Sequence, residues 1–146
     1  MTRPLIAVLD YGIGNLHSAQ KALERGGADA RLTADPSVIA DAAGVVLPGV
    51  GAFGACMDAL RASGLEEPTH SAVASGRPFL GICVGMQMLF SASDEDTDAK
   101  GLDVIPGIEN RLPTDDELND VHEGVRHVAP IQAQIDAFLR EGACQN

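Results

Sequence analysis

The sequence predicts an α/β fold, a mainly parallel sheet with helices on both faces. Three observations carry this. Short continuous apolar runs, Leu5–Leu9, Val45–Leu47 and Phe79–Ile82, read as strands covered on both sides. Helical patterns lie between them, near residues 15–25, 53–61 and 66–75. Each apolar run also ends in a glycine-bearing turn. In open α/β sheets the carboxyl ends of the strands are where ligands bind.

The elements follow in order. Leu5–Leu9 leads into Asp10-Tyr11-Gly12-Ile13-Gly14-Asn15. Asn15, or the loop before it, caps a helix with Leu16, Ala19 and Leu23 inward, and Gly26-Gly27 stops it. Gly12 and Gly14 match two glycines of a dinucleotide-binding fingerprint, but His17 stands at the third, so that reading fails. Asp29–Leu32 is a short strand, and Asp35-Pro36-Ser37 opens a brief helix. Val45–Leu47 runs into Pro48-Gly49-Val50-Gly51, a turn able to present backbone N–H groups to a neighbouring site. Phe53, Met57 and Leu60 share a helical face, broken at Gly64. Glu66-Glu67-Pro68 suits the first turn of the next helix, which ends at Gly76.

The strand Phe79–Ile82 ends at a cysteine between two glycines, Gly81-Ile82-Cys83-Val84-Gly85, and a helical pattern runs on to Phe90. A strand turning sharply into a helix on a G-x-nucleophile-x-G frame is a nucleophile elbow. Its thiol points off the sheet edge at a helix N-terminus, which favours the thiolate, and the N–H of Val84 can donate to an oxyanion. The bland alternative is a small buried cysteine.

Beyond the elbow, Asp94-Glu95-Asp96-Thr97-Asp98 matches the first positions of a calcium loop. Ala99 and Ile105 occupy the places of its glycine and bidentate glutamate, so a solvated loop is expected. Leu102–Gly107 reads as a short strand and turn. Asp115, Asp116, Glu117, Asp120 and Glu123 form an acidic stretch. From Pro130 a helix places Ile131, Ile135, Phe138 and Leu139 on one face, to pack on this domain or on a partner.

Bulk properties narrow the function. A chain of 146 residues with 45% apolar residues fits one domain with a real core. A net charge of −11 leaves no basic face for nucleic acid. No run is long enough for a membrane span, and no signal-peptide core precedes the first strand. Three cysteines without paired spacing suit a reducing cytoplasm, with Cys56 and Cys144 structural or incidental.

Gly81-Ile82-Cys83-Val84-Gly85-Met86-Gln87 resembles the nucleophile motif of class I (triad) glutamine amidotransferases. With Asp10–Leu16 and Leu47–Phe53 added, the resemblance narrows to the glutaminase subunits of imidazole glycerol phosphate synthases, over about residues 5–112. It implies hydrolysis of glutamine, with the ammonia passed to a cyclase (synthase) subunit in a heterodimer serving histidine biosynthesis. It implies Cys83 as nucleophile, the N–H groups of Val84 and Val50 as oxyanion donors, and Gly49, Gly51 and Gln87 at the substrate. Tyr11, Gly12 and Asn15 would form a loop at the partner or ammonia exit. No metal or organic cofactor is implied.

The family's other triad members are a His and a Glu one residue apart, near the C-terminus. No His-x-Glu occurs here: His122 and Glu123 are adjacent, so on a helix they point about 100° apart. The expected division is therefore an incomplete amidotransferase domain, 1–112, cut short on its C-terminal side, and an atypical helical tail, 113–146. Three explanations stay open: a truncated or frame-shifted subunit, an inactive relative kept for docking, or a tail histidine replacing the base. The first fits best, because the first half is intact and the break is abrupt. The rival from another class is a non-catalytic docking module for a synthase partner.

Overall fold

The computed structural model of the chain describes residues 2–109 and 137–141. The elements run β1 (Leu5–Leu9), α1 (Leu16–Arg25), β2 (Asp29–Thr33), α2 (Pro36–Asp41), β3 (Gly44–Gly49), α3 (Phe53–Ala62), α4 (Glu66–Ala74), β4 (Phe79–Cys83), α5 (Val84–Gln87), β5 (Phe90–Ser93) and β6 (Ile105–Glu109). Four strands form one parallel sheet in the order β2-β1-β3-β4. The expected α/β architecture is thus present.

Strand alternation explains the two layers. Ala7, Leu9, Val45 and Leu47 point to one face and pack with Ile39 of α2, Phe53, Met57 and Leu60 of α3, and Ala72 of α4. Ile6, Val8 and Val46 point to the other, against Leu23 of α1. Phe138 and Leu139, in the helical residues 137–141, join that second cluster. This part of the apolar stripe therefore packs on the domain itself. Ile131 and Ile135 lie outside the described residues, as do the acidic stretch and the 112/113 boundary.

Local chemistry sets the ends. Asp35 accepts from the Ser37 N–H at 2.8 Å and caps α2, with Pro36 in its first turn. At the other end of α2 the Arg77 guanidinium donates to the carbonyls of Ile39 (2.9 Å) and Ala40 (3.0 Å), groups the helix leaves unpaired. Asn15 stands at the N-cap of α1, yet its side chain makes no capping bond.

Three expectations need correction. The helix after the elbow stops at Gln87, and Phe90 lies in β5. The carbonyls that a longer helix would use are taken by the returning chain: Leu102 N–H bonds Met88 (2.8 Å), Val104 N–H bonds Leu89 (2.9 Å) and Asp103 N–H bonds Phe90 (3.2 Å). The next strand is Ile105–Glu109, later than expected, paired parallel with β5 in a separate two-stranded sheet. The acidic loop is not wholly solvated either. A methyl on Gly54 would fall 2.0 Å from an Asp96 carboxylate oxygen, so this half-buried acid lies on the first turn of α3. A negative charge suits that end of a helix.

Candidate active site

The strand order reverses direction between β1 and β3. The loops leaving β1 and β3 therefore diverge there, as at the ligand crevice of doubly wound sheets. Cys83 ends the neighbouring strand β4 and sits at φ 56°, ψ −122°. This region costs a non-glycine residue on the order of 1–3 kcal/mol. The surrounding backbone enforces it. A Cβ on Gly81 would lie 2.6 Å from the Met86 Cα, and one on Gly85 1.9 Å from the Leu47 carbonyl oxygen. The chain doubles back too closely for a side chain on either flank, and the Cys83 thiol is left exposed between them.

The β3 end faces this elbow. Gly49 is the register partner of Cys83, and a Cβ there would meet the Gly85 nitrogen at 2.6 Å. Val50 is exposed and Gly51 turns at φ 87°. Val84 opens α5, where the first N–H groups have no partner within the helix. Gln87 follows three residues later, on the same side of that short helix, and is half-buried. A cleft of about 250 Å³ opens here, lined by Asn15, Pro48, Gly49, Val50 and Cys83 and floored by apolar residues of α1 and β4.

The β1 loop contributes two kinds of residue. Gly12 and Asn15 are exposed, whereas Tyr11 is buried. The Tyr11 hydroxyl donates to the Pro48 carbonyl and lies 3.7 Å from the Met88 sulfur. Burial, and then the neighbouring Cys56 sulfur, push its ionisation well above the ordinary phenol range. Cys56, fully buried in α3, donates its thiol to the Val50 carbonyl at 3.2 Å. Sequence reasoning missed this support. Its only signals were the single tyrosine of the chain and a cysteine on an apolar helix face.

The remaining candidates are scattered. His17 is exposed on α1. His70 lines a separate depression with Gly64, Glu66 and Glu67. His122, Glu123 and His127 lie outside the described residues. Among the described residues no cluster of three or more His, Cys, Asp or Glu is arranged to hold a metal ion, and no helix is long and apolar enough to cross a membrane.

The family model "Glutamine amidotransferase class-I" matches residues 7–137. The chain belongs to the class I glutamine amidotransferases. The family match thus continues past residue 112, where the motif resemblance stops. Relatives of this amidotransferase-family chain include the imidazole glycerol phosphate synthase subunit HisH of Synechococcus elongatus, 54% identical over 140 residues, covering 96% of this chain and 64% of the relative. The subunit HisH of Syntrophotalea carbinolica is 54% identical over 111 residues, 76% of this chain and 54% of that one. That of Salinibacter ruber is 47% identical over 131 residues, 86% and 60%. The chain thus spans a little over half to under two-thirds of these relatives' length. A crystal structure of a glutamine amidotransferase superposes with a TM-score of 0.62 at 21% identity, over 73% of this chain and 56% of that one, and shows the same fold.

Proposed function

We propose that this chain supplies the nucleophile half of a glutaminase, acting as the amidotransferase subunit of an imidazole glycerol phosphate synthase. The observation that carries the reading is the strained Cys83 backbone, held by glycine flanks that admit no side chain. A purely structural cysteine has no need of such a conformation.

In this reading the Cys83 sulfur attacks the side-chain amide carbon of glutamine. A sulfur–carbon bond forms, and the negative charge moves to the carbonyl oxygen. The N–H groups of Val84 and Val50 receive it. Collapse breaks the carbon–nitrogen bond, the nitrogen leaves as ammonia on taking up the proton that the thiol gave up, and water then releases glutamate from the thioester and restores the thiol. Gly49 and Gly51 let the substrate approach the backbone, and Gln87 holds it. The exposed Gly12 and Asn15, anchored by buried Tyr11, lie on the side where a cyclase subunit would receive ammonia. A reducing cytoplasm suits a free, exposed nucleophilic thiol.

The leaving nitrogen needs a proton, and the 146 residues contain no His-x-Glu pair. A second reading is a docking module that binds a synthase partner without turnover. Ammonia release from glutamine, with a cyclase subunit present, separates the two. The glutaminase reading predicts release that disappears in Cys83→Ala. Release that persists in the variant, or none from either protein, overturns it, and the latter favours the docking module.

A further inference from the structure

We propose that the cleft beside Cys83 is an aliphatic subsite, and that the same thiol accepts short aliphatic acyl groups from thioesters. The assignment rests on Cys83 as a nucleophile and not on glutamine, so it adds a second class of acyl donor to the site.

Two observations carry it. The first is the floor of the cleft. Leu80 and Ile82 alternate onto one face of β4 and stay half-buried, although both pack against the apolar cluster that holds Leu23 of α1. Ala19, Ala22 and Leu23 of α1 line the same cleft of about 250 Å³. An apolar trough therefore follows β4 from Leu80 to Cys83, about 10 Å of strand, with the exposed thiol at its end. The amide and charged α-carbon of glutamine have no use for such a floor, whereas an alkyl chain gains from every methylene it buries there.

The second is the leaving group. An amide nitrogen departs only when it takes up a proton, and among the described residues the lining of the cleft holds no His, Asp or Glu to carry one. A thiolate leaves without that help, because a thiol already ionises near pH 8.5. In the exchange, the Cys83 sulfur attacks the acyl carbonyl carbon, a sulfur–carbon bond forms and charge moves to the oxygen. Collapse breaks the donor's own carbon–sulfur bond. The departing thiolate takes up the proton that the Cys83 thiol gave up, so no oxidant or further reactant is needed. The acyl group stays on Cys83 with its chain along Ile82 and Leu80.

The probes are the acetyl, butanoyl and hexanoyl thioesters of N-acetylcysteamine, applied to the full chain and to free N-acetylcysteine. Acylation of Cys83 is read by peptide mass mapping, and each rate is divided by that of the free thiol. From acetyl to hexanoyl the corrected rate should rise about 15-fold, roughly twofold per methylene, against the roughly fourfold of full burial, because the trough is open on one side. Ala22→Phe, in protein whose circular dichroism matches wild type, should fill the trough and bring that ratio below about threefold. A wild-type ratio below about threefold overturns the assignment, whatever the variant does. So does an Ala22→Phe protein that keeps the full ratio, or a set of thioesters that acylates the free thiol and leaves Cys83 unmodified. The chloromethyl ketone analogue of glutamine, L-2-amino-4-oxo-5-chloropentanoate, reports the glutaminase reading separately. A Cys83 that this ketone labels and no thioester acylates overturns the aliphatic subsite and leaves the glutaminase reading standing.

Discussion

Gly49 and Cys83 are register partners at the ends of β3 and β4, and their juxtaposition builds the candidate site. The pairing sets a glycine-rich loop against the one strained, exposed cysteine of the described residues. Neither residue alone would specify a site, and the parallel register supplies what the two lack separately.

Substitution of Gly85 by Ala should be severe. The new methyl would sit 1.9 Å from the Leu47 carbonyl oxygen, a backbone atom in the centre of the sheet. Relief requires β3 and the elbow to separate. The expected loss is about 3 kcal/mol, at the upper end of overpacking effects, read as a lower urea midpoint. A shift under about 0.5 kcal/mol would contradict the close approach.

Cys83→Gly should make the protein more stable while removing its nucleophile. Glycine relieves strain on the order of 1–3 kcal/mol and loses about 0.5–1 kcal/mol through its freer unfolded chain. The exposed thiol contributes little burial. A net gain near 1 kcal/mol is expected, whereas Cys83→Ala, still a residue with a Cβ at φ 56°, should gain little. Thermal unfolding of the two variants side by side decides the point.

Phe138→Ala tests whether the C-terminal stripe belongs to this domain. The ring packs with Ile6, Val8 and Val46, close enough that a Cβ on Gly44 would meet it at 2.9 Å. Truncation should cost about 3 kcal/mol, as for other buried aromatic rings, in the isolated chain. Unchanged stability would assign the stripe to a partner instead.

Asp35 predicts a modest pH dependence. Hydrogen bonds from the Ser37 hydroxyl, and then from the Ser37 N–H, hold its carboxyl below the ordinary carboxylate range. A depressed folded-state value means the contribution is fully present above the unfolded pKa, near 3.9, and is lost as pH falls through the lower folded value. Denaturation midpoints of wild type and Asp35→Ala should therefore differ more at pH 7 than at about pH 2.5. Equal gaps at both would show the cap does not depend on charge.

Much of the fold was legible because its signals are local. Leu5–Leu9 and Phe79–Ile82 are apolar runs bounded by turn residues, and Gly81 and Gly85 mark the elbow within five positions. Where a choice depended on distant partners, the pattern misled. Met86, Leu89 and Phe90 fit a helical face, but the chain returning at Leu102–Ile105 takes the carbonyls of Met88, Leu89 and Phe90, and the helix ends early. The Tyr11 and Cys56 donors could not be read at all. Tyr11 reaches the Pro48 carbonyl from a distant part of the chain, and a side chain bonding to backbone leaves no residue pattern to find.

The central claim is that Cys83 is a nucleophile directed at glutamine. Its most direct test is the mass map of wild-type protein after treatment with the glutamine-like chloromethyl ketone, with and without glutamine. The account predicts one adduct, on Cys83, formed with saturating kinetics and suppressed by glutamine. An adduct shared with Cys144, or one on Cys83 that glutamine does not suppress, would contradict it.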